Sequence, residues 1–294
     1  MKHENLPVSA LLTQEVQLTS SEFQSLQELI EGTLGISMPQ SKRAMLETRI
    51  LRRIRELGIT SVGDYCAYLE TPAGKHSERS NFLDLATTNK TSFFREPSQF
   101  EQVTNQVLPD LLKRMEAART PLRVWSAACS TGQEVWTLAM LLDDTRARCR
   151  TGGSFVVLGS DVSRRVLQTA MEAKYDASEL AGVPRDYVQR YFTRSKDRSS
   201  SLTRVAPELR RHVGFFSQNL MDGSYALDER VHVIYLRNAL IYFSRERQLQ
   251  IIRRAAEYLV EGGFFVVSLT ETLNQTGLDF RHLGSSVYQL EAAP

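Results

Sequence analysis

The 294-residue sequence is poor in the residue patterns that metal-binding and secreted proteins use. Its three cysteines, Cys66, Cys129 and Cys149, are odd in number and irregularly spaced, and neither CxxC nor HExxH occurs. The five histidines are scattered, so no metal-ligand spacing and no disulfide framework is visible. We therefore expect no metal and a cytoplasmic, reducing location.

Long apolar runs are also absent. No segment approaches the roughly 18 apolar residues of a membrane span, and residues 1–16 lack the cationic start and apolar stretch of a secretion signal. The formal net charge is only +2, so overall charge does not indicate a nucleic-acid partner. With 42% hydrophobic and 24% charged residues, the composition is that of an ordinary globular protein without membrane insertion.

Helical periodicity dominates the first 86 residues. Residues 1–19 are polar with weak periodicity and are predicted to be a flexible tail, while Thr19 to Glu22 form a T-x-x-E capping box that opens a helix. A second helix, SKRAMLETRILRRIRELGI, has an apolar stripe made of Leu46, Ile50, Ile54 and Leu57. Two shorter helices follow, and no strand pattern appears before about residue 120. Residues 20–86 are therefore predicted to be a small all-helical domain.

Strands alternate with helices in the remainder of the chain. The apolar segments LRVWSA, FVVLGSD, VHVIYL, GGFFVV and SVYQL are separated by amphipathic stretches. This alternation predicts an α/β fold over residues 87–294, with a doubly wound, mostly parallel sheet. The polar segment 175–212 interrupts the alternation and is too long for a crossover loop. It is predicted to be an inserted subdomain, made of a hairpin or short sheet plus a helix.

Small and acidic residues follow the first two predicted strands. The turn SAACSTGQE, residues 126–134, lets a ligand lie against the backbone beside the N–H groups of a helix start. Asp161 ends the second strand, where a carboxylate can accept hydrogen bonds from ribose hydroxyls. Because GxGxxG is missing, these features favour a nucleoside such as S-adenosylmethionine (SAM) over a nicotinamide dinucleotide. A plain tight turn and a helix-capping Asp are the alternatives.

Two further polar segments lie near predicted boundaries. TTNKTSFFRE, residues 87–96, joins the two predicted domains, and LRNALIYF, residues 236–243, follows an apolar strand. Arg237, Asn238 and Tyr242 are expected at the ligand-binding edge of the sheet. The alternatives are a linker packed by its phenylalanines and a polar strand end followed by a core tyrosine.

Taken together and in this order, these segments resemble the chemoreceptor glutamate methyltransferase (CheR) family. The matching patterns are TxxxxSFFRE, SAACSTGxE, GSD, FxxxNL at residues 215–220, and RNxLIYF. The resemblance covers residues 20–290 and implies a helical receptor-recognition domain, a SAM-binding catalytic domain and an inserted small β-subdomain. The implied reaction is transfer of a methyl group from SAM to glutamate side chains of methyl-accepting chemoreceptors, with S-adenosylhomocysteine (SAH) as product.

The resemblance also implies the site residues. Arg95 and Tyr242 are the implied catalytic residues, closest to the methyl group. The implied SAM ligands are Asn89, Thr91, Arg95, Glu134, Asp161, Asn219, Leu220, Arg237 and Asn238. A glutamate carboxylate has a pKa of about 4.3 and is ionised near pH 7, so it can attack the methyl group without a general base.

The second predicted helix carries a basic face. Arg49, Arg52 and Arg55 lie opposite its apolar stripe on a helical wheel, and Arg53 lies at the edge. The resemblance implies that this helix contacts the glutamate-rich methylation region of the receptor, through an attraction that salt would screen. A solvated outer face is the alternative, and nucleic acid is disfavoured because no aromatic stacking pattern accompanies the arginines.

Some positions depart from the family's usual pattern. QEVW at residues 133–136 stands where Glu-Glu-Pro-Tyr is common, Leu236 replaces a Cys, and SLTE at residues 268–271 replaces Gly-His-Ser-Glu. Residues 194–204 contain no glycine of the kind that some relatives use to dock a receptor tail peptide, which argues against such docking here. Two other functions stay open: a non-catalytic SAM-binding adaptor of a receptor array, and a SAM-dependent N-methyltransferase.

Overall fold

The computed structural model describes residues 17–195, 197 and 199–291. The chain divides into two compact units, a helical unit up to Thr88 and an α/β unit from Asn89 onward. Residues 1–16 of the predicted tail lie outside the described residues. Within the described part of the chain, no helix is long and apolar enough to span a membrane.

Among residues 17–88, the described part of the helical unit, there are five α-helices. They are α1 Ser20–Leu34, α2 Arg43–Leu57, α3 Val62–Glu70, α4 Pro72–Ser77 and α5 Arg79–Ala86. The predicted capping box opens α1, since the Thr19 side chain accepts from the Glu22 N–H while the Glu22 carboxylate accepts from Thr19. Gly35 and Gly58 end α1 and α2 in the left-handed conformation, with φ of 71° and 68°.

Two details of the helical unit differ from the prediction. Leu18 is fully buried in the helical core, its N–H donates to Glu47 Oε1 at 2.7 Å, and its carbonyl accepts from Arg43. Residues 17–19 are therefore part of the packed unit and not of a tail. Leu57 is 37% exposed, so the buried stripe of α2 consists of Leu46, Ile50 and Ile54 and ends one turn earlier than predicted.

The α/β unit contains ten strands and seven helices among the described residues. The strands are β1 Leu122–Ala127, β2 Phe155–Asp161, β3 Lys174–Asp176, β4 Phe192–Arg194, β5 Leu202–Val205, β6 Val213–Ser217, β7 Val231–Tyr235, β8 Leu259–Val266, β9 Phe280–Gly284 and β10 Val287–Leu290. The helices are α6 Pro97–Gln102, α7 Leu108–Ala118, α8 Gln133–Arg148, α9 Arg164–Glu172, α10 Arg185–Tyr191, α11 Pro207–Arg210 and α12 Arg245–Ala256.

The main sheet has the order β6-β2-β1-β7-β8-β10-β9. The first five strands in this order are parallel, while β10 is antiparallel to both β8 and β9. The doubly wound, mostly parallel sheet predicted from the sequence is thus present. Strand order reverses between β1 and β7, and ligands of such sheets bind in the crevice outside the carboxyl ends of the strands at that point.

The sheet is buried on both faces, which explains why its central strands read as apolar runs. Val124 of β1 packs on one face with Trp136 and Phe155, whereas Trp125 packs on the other with Ile234 and Phe265. All six side chains are at most 2% exposed. The alternation of side chains along β1 therefore serves two cores that hold the central strands in place.

A second, three-stranded antiparallel sheet has the order β3-β5-β4. It lies between β2 and β6 in the chain and is accompanied by α10 and α11. This is the inserted β-subdomain that the polar segment predicts. Phe93 packs edge-on against Tyr175 and Phe192 of this subdomain, with ring centroids 5.0 and 5.6 Å apart.

Candidate functional site

The turn from β1 into α8 has the unusual backbone that its small residues predict. Ala128, Ser130 and Gly132 are all left-handed, with φ of 58°, 52° and 90°. A Cβ on Gly132 would lie 2.7 Å from the Cβ of Ala170, closer than packed carbons approach. Gly132 is also the residue before α8, so the turn brings the N-terminus of that helix to the carboxyl edge of the sheet.

Asp161 lies beside this turn at the end of β2. Its Oδ2 accepts from the Ser130 N–H at 2.9 Å and its Oδ1 accepts from the Ser163 N–H at 3.0 Å. The residue is 7% exposed, and its own carbonyl accepts from the N–H of Gln218, which follows β6. Asp161 therefore ties together the ends of β1, β2 and β6, in the place where a carboxylate can bind ribose.

Glu134 and Arg237 connect the end of β1 with the end of β7. Glu134 Oε1 accepts from the Ser126 hydroxyl at 2.8 Å, and its Oε2 accepts from Arg237 Nη1 at 2.8 Å. The Arg237 side chain is only 1% exposed and its guanidinium lies 4.9 Å from the centre of the Phe100 ring, a cation–π distance. Its Nη2 donates to the Arg95 carbonyl, so Arg237 also reaches the 89–96 segment.

Glu96 extends this network. Its Oε2 lies 3.3 Å from Arg237 Nη2 and accepts from the Leu269 N–H at 3.2 Å, while its Oε1 accepts from Asn238 Nδ2 at 3.1 Å. Burial alone would raise the pKa of Glu96, but the hydrogen bond from Asn238 and the charge of Arg237 hold it below its ordinary value. The carboxylate is therefore ionised at neutral pH.

Glu271 holds the same loops from the other side. Its Oε2 accepts from the backbone N–H groups of Asn238 at 3.1 Å and Ser268 at 2.9 Å. Burial raises the pKa of Glu271. Asn238 has a left-handed backbone, with φ of 55°. Its side chain donates to Glu96 and its backbone N–H donates to Glu271. Sequence reasoning missed Glu96 and Glu271, although each closes a polar segment that the sequence marks out, TSFFRE and SLTE.

Comparison with known proteins agrees with this geometry. The model described as "CheR methyltransferase, SAM binding domain" matches residues 89–289, and that described as "CheR methyltransferase, all-alpha domain" matches residues 21–87. The chain belongs to the CheR methyltransferase family. The SAM-binding domain of the family thus matches the α/β unit and its all-alpha domain the helical unit, and the protein is a SAM-dependent methyltransferase.

Curated CheR relatives match almost the whole chain. The chemotaxis protein methyltransferase of Klebsiella aerogenes is 35% identical over 282 residues, which cover 96% of this chain and 93% of the relative. That of Escherichia coli K12 is 34% identical over 280 residues, covering 95% and 94%. Chemotaxis protein methyltransferase 2 of Pseudomonas aeruginosa is 31% identical over 279 residues, covering 94% and 95%.

Hydrogen bonds directly join several of the residues implied by the CheR resemblance. Besides the contacts above, the Ser130 hydroxyl donates to the Asn89 carbonyl at 2.9 Å, and Arg95 Nη1 donates to the Lys90 carbonyl at 3.1 Å. These bonds form two groups. Ser130 joins Asn89 to Asp161. Arg237 bonds directly to Arg95 and Glu134, and Glu96 joins it to Asn238. The segment 89–96 thus contributes polar groups to the site and packs against the β-subdomain through Phe93.

The other implied CheR residues lie on the 89–96 segment and on the loops that follow β6 and β7. Thr91 is half-buried within the 89–96 segment. Asn219 and Leu220 follow β6; Asn219 Oδ1 accepts from the Met221 N–H at 3.0 Å, and Leu220 is 7% exposed. Tyr242 ends a short 3-10 turn, Leu240–Tyr242, which follows Asn238.

The residue types at this edge fit SAM. Its ammonium, ribose hydroxyls and adenine amino group are all hydrogen-bond donors, and the site offers the acceptors Asp161, Glu134 and Asn238. Gly132 lets this turn pack closely against Ala170 of α9, where a Cβ would not fit. Among the departures from the CheR pattern, Trp136 is buried and donates from Nε1 to the Ala170 carbonyl at 3.2 Å, away from these acceptors.

The four arginines of the predicted receptor-binding face separate into two pairs. Arg49 is half-buried and Nη1 donates to the carbonyls of Leu85 at 2.6 Å and Thr87 at 2.8 Å, so the prediction that it lies on the outer face of α2 is wrong. Arg53 binds Glu78 through two hydrogen bonds of 2.8 and 2.7 Å. Arg52 is 84% exposed and Arg55 is exposed, so these two form the outer basic face.

Proposed function

We propose that this CheR-family enzyme forms γ-methyl esters on glutamate side chains in the cytoplasmic domains of methyl-accepting chemoreceptors. The observation that carries the proposal is the attachment of the 89–96 segment to the ends of β7 and β8 by Arg237, Asn238 and Leu269. This attachment holds Arg95 at the carboxyl edge of the sheet, on the side where Tyr242 follows β7. The names of the relatives, chemotaxis protein methyltransferases, support a chemoreceptor as acceptor.

The chemistry suits a site that orients its reactants and moves no proton. SAM supplies a methyl group on a positively charged sulfur. An acceptor glutamate is already ionised near pH 7, so the protein has only to align its carboxylate with that methyl group and exclude water. Orientation of this kind can lower a barrier by about 7 kcal/mol or more. Arg95 binds the incoming carboxylate, and Tyr242 positions the methyl donor.

The implied SAM ligands divide into direct and indirect ones in this proposal. Asp161, Glu134 and Asn238 are the acceptors, whereas the Arg237 side chain is too enclosed to reach a ligand and instead fixes Glu134. Arg237 is thus a positioning residue that holds the Glu134 carboxylate in place at the start of α8.

Methyl-labelled SAM and receptor cytoplasmic fragments test the reaction. A carboxyl methyl ester hydrolyses at high pH and releases volatile methanol, whereas an N-methyl group keeps the label on the acceptor. We expect methanol from the wild type. We also expect a large loss of rate at saturating SAM in Arg95→Ala and Tyr242→Phe, with Arg114→Ala and Tyr68→Phe as controls outside the site.

Three outcomes would contradict the proposal. Label that survives alkali would favour an N-methyltransferase. Failure to label any receptor would favour a SAM-binding adaptor. Full rates in both Arg95→Ala and Tyr242→Phe would remove these residues from catalysis.

Receptor docking on α2 has a separate test. We propose that Arg52 and Arg55 attract the acidic methylation region, because both guanidinium groups are exposed. The Arg52→Glu/Arg55→Glu variant should methylate receptor more slowly at low salt, and the difference should shrink as salt shortens the screening length. Lys113→Glu/Arg114→Glu makes the same charge change on exposed positions of α7 and is the control. Equal rates for the two variants would leave α2 with a merely solvated face.

A further inference from the structure

Glu96 is not among the implied SAM ligands, yet it contacts two segments that build the site. Its carboxylate accepts hydrogen bonds from Nη2 of Arg237, Nδ2 of Asn238 and the backbone N–H of Leu269, at 3.1 to 3.3 Å. Its own backbone is left-handed, with φ of 58°, immediately before Pro97 begins α6. A non-glycine residue adopts this conformation at a cost that the surrounding contacts must offset. The contacts to the segments after β7 and β8 therefore fix where this carboxylate lies.

The charge state of Glu96 determines how Asn238 is oriented. An ionised carboxylate has only acceptors, whereas an asparagine amide has an NH₂ donor on one side and a carbonyl acceptor on the other. Asn238 must therefore turn its NH₂ group toward Glu96, as it does at 3.1 Å. The Glu271 contact to the Asn238 N–H fixes the backbone from which this amide extends. The Asn238 Oδ1 is then the amide atom directed away from Glu96.

We propose that Glu96 is a positioning residue that orients the Asn238 amide so that Oδ1 accepts a hydrogen bond from an N–H or O–H group of SAM. The inference rests on the proposed function in placing SAM in this crevice. Through Arg237, the same carboxylate also supports Glu134, since Arg237 lies between the two. Glu96 itself does not touch the cofactor.

Exchanging the carboxylate and the amide between positions 96 and 238 tests this role. Glu96→Gln turns an NH₂ group toward the Asn238 NH₂, which must rotate and reverse its donor and acceptor. Asn238→Asp places two carboxylates opposite each other. In Glu96→Gln/Asn238→Asp, the amide now at position 96 donates to one oxygen of the carboxylate now at position 238, whose second oxygen is again an acceptor toward the cofactor. The carbonyl of the amide at position 96 remains an acceptor for Arg237 and the Leu269 N–H.

The measurement is the dissociation constant of SAH, determined by calorimetry with the full chain and no receptor. We expect each single variant to weaken binding by about tenfold, which corresponds to about 1.4 kcal/mol, and the double variant to return to within about threefold of the wild type. Glu101→Gln makes the same charge change on an exposed position of α6 and should bind as the wild type does. Thermal unfolding of every variant shows whether it is folded.

Recovery in the double variant is the decisive result, because a merely structural loss would accumulate and not reverse. A double variant that binds no better than the weaker single variant, or a Glu96→Gln protein that binds SAH normally, would overturn the inference. If Glu96→Gln fails to fold, the pH dependence of SAH binding by Asn238→Asp still tests the inference. Lowering the pH from 8 to about 5 should restore part of its binding of SAH, because one of two facing carboxylates, with a pKa of about 4.7 in known pairs, then begins to take up a proton and become a donor. No recovery on acidification would overturn the inference too.

These results are separable from the proposed reaction, because SAH binding needs no acceptor. Loss and recovery of binding without methanol release would leave the role of Glu96 intact and contradict glutamate methylation. Methanol release by the wild type together with unchanged SAH binding in Glu96→Gln would support glutamate methylation and contradict the role of Glu96.

Discussion

Removal of Arg53 should destabilise the helical unit far more than removal of its neighbour Arg52. Glu78 is 2% exposed and accepts four hydrogen bonds: two from Arg53, at 2.8 and 2.7 Å, and one each from Tyr65 and Asn81, both at 3.0 Å. Arg53→Ala would leave this buried carboxylate with two neutral donors and no cation. Arg52, by contrast, is 84% exposed and binds Glu56, which is itself 46% exposed.

Breaking a buried pair by removing one partner costs about 3–5 kcal/mol. The Arg53 side chain is 24% exposed, so water can replace part of it, and we expect a loss near the lower limit, about 3 kcal/mol. An exposed pair such as Arg52–Glu56 contributes under about 1 kcal/mol. Arg53→Met, which keeps most of the aliphatic packing without the charge, separates the electrostatic loss from the packing loss.

Urea unfolding with two probes can measure this difference. Both tryptophans, Trp125 and Trp136, lie in the α/β unit, so their fluorescence follows that unit, while far-UV circular dichroism includes the helices of both. We expect Arg53→Ala to shift the dichroism transition to lower urea, and Arg52→Ala to leave it close to wild type. Equal urea midpoints for Arg52→Ala and Arg53→Ala would refute the reasoning and show that Arg53 contributes no more to stability than an exposed arginine.

Acid gives an independent check on the same pair. Burial would raise the pKa of Glu78, but the hydrogen bonds and charge of Arg53, with help from Asn81 and Tyr65, hold it below the ordinary value. A carboxyl whose pKa is lower in the folded state contributes stability above its unfolded pKa of about 4.3 and loses it as pH falls through the folded pKa. The stability difference between wild type and Arg53→Ala should therefore be full at pH 7 and shrink below about pH 4. A pH-independent difference would show that the charge of Glu78 is not involved.

Three other variants test other parts of the structure. Gly132→Ala should lower the melting temperature and the affinity for SAH, because a Cβ at φ +90° would lie 2.7 Å from Ala170, and normal affinity would contradict the described turn. Asp161→Asn should weaken SAH binding by about tenfold or more in calorimetry. The new NH₂ group would face one of the two backbone N–H groups from which Asp161 accepts hydrogen bonds. Unchanged binding would show that Asp161 is not part of the site. Leu18→Ala should cost about 2–5 kcal/mol in urea unfolding, and a negligible cost would return Leu18 to the tail.

The sequence predicted those features that depend on local patterns. The capping box at Thr19 and the apolar strands β1 and β2 are each encoded within a few residues. Strands β6 and β9 were missed because they lie at the two edges of the sheet, where half-buried residues give neither an apolar run nor strict alternation. Helices α6 and α7 also went unassigned.

The site was predicted as a set of segments, but not as a network. Asp161 stands out in the sequence because it ends an apolar strand, and Gly132 because it lies in a run of small residues. On a helical wheel, Arg49 and Arg53 look like residues of a solvent-exposed face. Their burial depends on partners that the wheel does not show: Leu85 at the end of α5 for Arg49, and Glu78 for Arg53. Glu96 was missed for the same reason, since its three donors come from parts of the chain far from it in sequence.

Strand order also determines when the site can form during synthesis. The helical unit packs helices that follow one another directly along the chain. The crevice instead requires β7, whose Val233 pairs with Val124 of β1 after the whole β-subdomain has intervened. Non-local pairings of this kind form slowly because the chain must first close a long loop. A ribosome-bound chain that stops before Val231 can therefore complete its helical unit, but it has no crevice in which to bind SAM.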